Sequence, residues 1–110
     1  MARQKDQGGM DMRVVMVCSG GMSSAIVVDA VKALADQEGF PLEIKAVGTH
    51  EFEDELARHD LGLVAPQVKH RLAQFEEIGK RLGKPVALIP PLGYTPLGAP
   101  KVLELIRRYK

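Results

Sequence analysis

The sequence predicts an α/β domain: a four-stranded parallel sheet with helices on both faces. Three observations predict it. Four short apolar runs alternate with stretches at helical spacing, giving the order β-α-β-α-β-α-β-α. Two of those runs, Arg13 to Val17 and Leu61 to Ala65, are continuous rather than alternating, as suits strands covered on both faces. The chain has 110 residues, which fits one domain and leaves no room for a second. Right-handed crossovers favour the strand order 2-1-3-4. Ligands of such sheets bind beyond the carboxyl ends of the strands, where the winding reverses. The loop after the first strand sits at that point.

Residues 1–12, MARQKDQGGMDM, are polar and aperiodic and are expected to form a flexible extension to a single domain over residues 13–110. Arg13 to Val17 is the first strand, ending in Cys18-Ser19-Gly20-Gly21. Ser23 or Ser24 can cap the helix that follows, with Ile26, Val27, Ala30, Val31 and Leu34 on its inward stripe. Gly39 and Pro41 stop it. Leu42 to Val47 alternates and reads as an edge strand. Thr49 can cap a short acidic helix that ends near Arg58-His59, its early Glu51, Glu53, Asp54 and Glu55 suiting the positive end of a helix dipole. Leu61 to Ala65 is a buried strand closed by Pro66. Gln67 to Leu82 is helical, with Val68, Leu72, Phe75, Ile78 and Leu82 inward, and ends at Gly83 and Pro85. Val86 to Ile89 is the last strand. The loop Pro90 to Pro96 leads into a final helix from about Ala99 to Tyr109.

Composition narrows the function. A net charge of +1 argues against a dedicated nucleic-acid binder. One cysteine excludes a disulfide framework and a multi-cysteine zinc cluster. A lone thiol suits a reducing cytoplasm, no apolar run approaches the ~18 residues of a membrane span, and the first residues lack the apolar core of a signal peptide. The expected location is the cytoplasm.

The stretch Cys18 to Ala25 carries the chemistry. Glycines let successive backbone N–H groups turn inward and form a nest for an anion. The start of the next helix adds N–H groups and a positive dipole end. A thiolate there is stabilised by the same field that cradles phosphoryl oxygens, and it is placed to attack phosphorus. Most lone cysteines are small buried hydrophobes. A position followed by two glycines and two serines favours the anion site instead. Nucleotide phosphate loops are excluded, because neither G-x-x-x-x-G-K-[ST] nor G-x-G-x-x-G occurs.

Residues 14–25, VVMVCSGGMSSA, resemble the active loop of enzyme IIB subunits of the bacterial phosphoenolpyruvate-dependent sugar phosphotransferase system, of the lactose/chitobiose (cellobiose) type. Ala65-Pro66-Gln67 and the Pro-rich loop with Tyr94 and Gly98 support the resemblance, which covers nearly the whole chain after about residue 12. It implies that Cys18 accepts a phosphoryl group from a phosphohistidine on a IIA protein and hands it to a sugar bound by the IIC membrane permease. It implies a phosphate cradle of Ser19, Gly20, Gly21, Met22, Ser23, Ser24 and Ala25, working mostly through backbone amides. Pro66 and Gln67 would lie beside the cradle, and Tyr94 at the same rim. The sugar would be of the β-glucoside, chitobiose or lactose type. No cofactor or metal is implied. Relatives often carry serine or threonine at the place of Ala25, and alanine at that of Gly20. A cradle built from the backbone tolerates both.

Two other readings compete. A low-molecular-weight tyrosine phosphatase has a similar strand–loop–helix, but its loop needs an arginine where Ser24 stands and an aspartate acid in a later loop. Pro90 to Pro96 contains no carboxylate. A regulatory binding module would keep the fold without transferring; the intact cysteine loop argues against it. His50, His59 and His70 match no local metal-ligand spacing and read as surface residues, although His50 follows the second strand at the same rim as Cys18. Lys69, His70 and Arg71 read as an exposed helix face. Met22 is read either as an outward apolar contact for a docking protein or as filling beneath the loop.

Overall fold

The computed structural model describes residues 12–19 and 22–109. The extension expected over residues 1–12 lies outside the described residues except for Met12, which belongs to the first strand. That strand, β1 (Met12–Val17), is joined in one sheet by β2 (Leu42–Val47), β3 (Leu61–Val64) and β4 (Val86–Leu88). Their order is 2-1-3-4, and every neighbouring pair is parallel. The register sets Val17 opposite both Val47 and Val64, and Val64 opposite Leu88. The four carboxyl ends therefore form one level edge.

The continuous apolar run of β1 has a simple cause. Val14 and Met16 point into a core shared with Val27, Val28 and Val31 of α1 (Met22–Gln37) and Val102 and Ile106 of α4 (Ala99–Arg107). Val15 and Val17 point into a second core, with Phe52 and Leu56 of α2 (Phe52–Ala57) and Phe75 and Ile78 of α3 (Leu72–Leu82). Successive strand residues face opposite ways, and both ways are covered. On the second face Gly62 of β3 makes room for an aromatic ring: a Cβ there would lie 2.7 Å from Phe52 Cζ. Phe52 and Phe75 meet edge to face, with centroids 5.0 Å apart.

Helix ends follow the glycines. Gly39 (φ +67°) and Gly83 (φ +70°) adopt the left-handed conformation that closes α1 and α3. Behind them Phe40 N–H donates to Ala35 O at 2.9 Å, and Lys84 N–H to Gly79 O at 2.9 Å. Arg107 at the end of α4 pairs with Glu38, and its guanidinium lies 5.0 Å above the Phe40 ring. That contact ties the last helix to the turn after the first.

Several local expectations change. Residues 66–71 form a 3-10 helix, and Val68 (φ −116°, ψ 22°) breaks the path, so the α-helix starts at Leu72 rather than Gln67. Thr49 does not cap α2. Glu51 holds the cap position, and its carboxylate accepts from Gly48 N–H at 3.1 Å. Helix α1 begins at Met22, which places Ser23 and Ser24 inside its first turn rather than before it. Ile26 is 51% exposed; Val28 and Ala35 are buried instead. The last helix stops at Arg107, two residues before Tyr109.

Candidate functional site

Of the expected site residues, those described lie beyond the carboxyl ends of the strands. Cys18 follows β1 directly. Its N–H donates to Val47 O at 3.1 Å, and its thiol donates to the same oxygen at 3.6 Å. The side chain is 3% exposed and packs with Val47, Ala65 and Val68. The parallel register dictates this contact, because β2 ends where β1 ends.

Downstream of Cys18, Ser19 is exposed, and α1 begins at Met22. Gly20 and Gly21 lie outside the described residues, as do the side chains of Met22 and Ser23. Ser24 is buried in the first turn of α1 and Ala25 is exposed. The amino end of a 16-residue helix thus stands four residues from the thiol. Such an end carries N–H groups and the positive pole of the dipole. A group of developing negative charge on sulfur or phosphoryl oxygen is favoured there.

The neighbouring strand brings its own loop to the same place. Ala65 N–H donates to Val17 O at 3.0 Å, and Val68 N–H to Ala65 O at 3.1 Å. This fixes Pro66, half-buried, and Gln67, exposed, beside the strand that delivers Cys18. Beyond β4, Ile89 N–H donates to Val64 O at 2.9 Å. The following loop carries Tyr94, whose ring packs against both cores. The loops after β1, β3 and β4 thus carry Cys18, Pro66, Gln67 and Tyr94 beyond the carboxyl ends of their strands.

The histidines do not converge. His50 and His70 are exposed, and His59 is half-buried with its Nδ1 against Glu55 O. Among the described residues no group of three His, Cys, Asp or Glu side chains could hold a metal ion. Arg71 is engaged with α3: its Nε donates to Gln74 Oε1 at 3.1 Å, and its guanidinium lies 5.5 Å above the Phe75 ring. A groove lined by Glu76, Gly79, Lys80 and Val86 lies at the amino end of β4, away from this edge.

Sequence reasoning missed two features of the rim. The Val47 carbonyl became a partner of Cys18 through strand register alone. Leu92 and Leu97, 73% and 93% exposed, stand in the Pro-rich loop as large uncovered apolar side chains. Both are visible in the sequence as leucines flanked by proline and glycine, which is a poor setting for burial.

Residues 13–105 match the family model described as the PTS system, Lactose/Cellobiose specific IIB subunit. The chain belongs to this family. It is a IIB component, a phosphoryl carrier of a sugar phosphotransferase system, and so a transferase that works with a IIA protein, a IIC permease and a sugar. Among curated proteins it is 25% identical over 92 residues to the oligo-beta-mannoside-specific EIIB component of Bacillus subtilis (strain 168), covering 84% of this chain and 89% of the relative. Among solved structures, the cellobiose-specific phosphotransferase IIB component of Borrelia burgdorferi superposes with a TM-score of 0.76 at 28% identity, covering 93% of this chain and 94% of that one. The lactose-specific IIB component domain from Streptococcus pneumoniae gives 0.77 at 19% identity, covering 91% and 99%, and speaks for the fold. Among the described residues of this IIB chain no helix is long and apolar enough to cross a membrane.

Proposed function

We propose that Cys18 is the residue that carries the phosphoryl group. The observation that carries this reading is its position: the single cysteine follows β1 at the reversal of strand order, directly before the loop leading to the amino end of α1. In the first step the Cys18 thiolate attacks phosphorus in line, the S–P bond forms, and the N–P bond of the IIA phosphohistidine breaks. The leaving imidazole nitrogen takes up a proton in place of the one the thiol gave up, so the ring departs neutral. In the second step a sugar hydroxyl attacks the same phosphorus, the S–P bond breaks, and the thiolate is regenerated as the hydroxyl proton departs.

Backbone N–H groups of residues 19–25 neutralise the phosphoryl charge, so no metal is required. Pro66, Gln67 and Tyr94 form the wall of the site and part of the surface that partners meet. The loop lacks the arginine and the later carboxylate that drive hydrolysis in phosphatases, which preserves the thiophosphate until its acceptor arrives. The resting thiol donates to Val47 O. A thiolate cannot donate, so deprotonation removes the bond that holds the side chain against β2 and frees it to turn towards the donor.

The sugar is a β-linked glycoside of the cellobiose, chitobiose, lactose or β-mannoside type. It is phosphorylated at the cytoplasmic face of the permease. The test is intact mass after incubation with phosphoenolpyruvate, the general phosphotransfer proteins and a IIA protein of the lactose/cellobiose type. One added phosphoryl group mapping to Cys18, absent in Cys18→Ser, is the expected result. No modification by a IIA shown to be charged overturns the assignment.

A further inference from the structure

The loop between β4 and α4 is wound tightly on itself. Two 3-10 turns, Pro91–Gly93 and Pro96–Gly98, follow one another. Gly93 N–H donates to Pro90 O at 2.8 Å, Tyr94 N–H to Pro91 O at 3.2 Å, and Gly98 N–H to Thr95 O at 2.9 Å. The Thr95 hydroxyl donates to Leu92 O at 3.4 Å. A Cβ at Gly98 would lie 2.4 Å from Leu92 O, so the two turns meet with no space between them. Tyr94 is therefore held by backbone bonds on both sides, and its placement is built into the resting protein.

Its ring packs against both cores, including the one that contains Cys18, Ala65 and Val68. Its hydroxyl oxygen is sealed from solvent and has no hydrogen-bond partner among the described residues. Buried hydroxyls are almost always paired, because an unpaired one forfeits its bonds to water. Phenylalanine would fill the same volume without that penalty. Packing accounts for the ring and gives no reason for the oxygen. A buried unpaired donor at a functional edge is a group whose acceptor arrives later in the cycle. The acceptor that arrives at this edge is a phosphoryl group with three oxygens.

We propose that the Tyr94 hydroxyl donates a hydrogen bond to the phosphoryl group on Cys18, so that it acts on the transferred group directly. The inference rests on the assignment of Cys18 as carrier. The bond forms on phosphorylation and breaks on transfer, so it stabilises the charged carrier against return of the group to IIA. Hydrogen bonds to ionised acceptors are the stronger ones, and the loss of one is read as roughly tenfold in an equilibrium constant.

The test is Tyr94→Phe, with charged IIA of the lactose/cellobiose type as donor. Two quantities are measured: the partition of phosphoryl between IIA and this chain by intact mass, and the melting temperature of the unphosphorylated protein. The expected result is a partition shifted towards IIA by about tenfold, with a melting temperature equal to or above that of the wild type. A variant that melts lower and transfers less indicates a structural role and overturns the inference. An unchanged partition, with phosphate still mapped to Cys18 in both proteins, overturns it while leaving the carrier assignment intact. Phosphate mapped to another residue in the wild type overturns both.

Discussion

The two ends of the sheet use their polar groups differently. At the amino end they are spent on one another. Asp60 accepts from Arg13 N–H at 3.0 Å and from the Arg13 guanidinium at 3.4 Å, while Asp60 N–H donates to Arg13 O at 2.7 Å. Met12 N–H donates to Pro41 O and Gly62 N–H to Pro85 O, so each turn is stitched to a strand start. At the carboxyl end the thiol leans on a carbonyl that already accepts a backbone N–H, the Tyr94 hydroxyl is unpartnered among the described residues, and Leu92 and Leu97 stand uncovered. One end closes the domain; the other leaves a buried hydroxyl without a partner among the described residues and two leucines in solvent. Sites that bind in turn must tolerate groups left incomplete between visits.

Substitutions at the two ends should separate stability from transfer, and the contrast is sharpest for the thiol. Cys18→Ser removes transfer to below detection in the IIA-dependent mass assay, yet its melting temperature stays near that of the wild type, because serine keeps a donor for Val47 O. Gly62→Ala acts the other way. The added methyl meets Phe52 Cζ at 2.7 Å, so unfolding free energy drops by about 1–3 kcal/mol in denaturant titrations. The folded fraction still takes phosphoryl normally, and lost transfer per folded molecule would blur the division of labour.

Asp60 gives a smaller effect with a pH signature. Partial burial pushes its carboxyl upward, but the Arg13 N–H, the Arg13 guanidinium and the charge of Lys84 outweigh this and hold it below the ordinary carboxylate value. A lowered folded-state pKa means stabilisation that is present above the unfolded value of about 4 and is lost as pH falls through the folded one. The pair is exposed, so the contribution is at most about 1 kcal/mol. Asp60→Asn should flatten that part of the stability profile between neutral and acid pH, and an unaltered profile would remove Asp60 from the closure of this end. The smallest effect belongs to the open rim: Leu97→Ser should leave unfolding free energy within about 0.5 kcal/mol, because the side chain is 93% exposed.

The sheet was legible because both of its layers leave a mark on the strands. Leu42 to Val47 was bounded correctly, since Glu43 and Lys45 face solvent between the more buried Leu42, Ile44 and Ala46. Strand order followed from handedness, and Cys18 stood out as the break after a buried run. Errors arose where local patterns are degenerate. Ile26, Val27 and Val28 are all apolar, so the phase of the α1 stripe is ambiguous, and the structure turns Ile26 outward. Residues 66–71 place Val68 inward in a 3-10 turn just as an α-helix would, so periodicity does not distinguish the two. Thr49 lost its capping role to Glu51, whose longer side chain reaches back to Gly48 N–H. The Val47 carbonyl and the Tyr94 hydroxyl, unpartnered among the described residues, are long-range facts, set by register and loop winding, and no window of sequence contains them.

The burial of Cys18 has a kinetic consequence. Cys18 is 3% exposed and belongs to the core that includes residues of β1, β2, α2 and α3. A phosphoryl group carried on Cys18, as proposed, makes donor and acceptor share one nearly buried atom, so each excludes the other. Exchange becomes a shuttle with two alternating handshakes, and its throughput is set by how quickly each partner lets go.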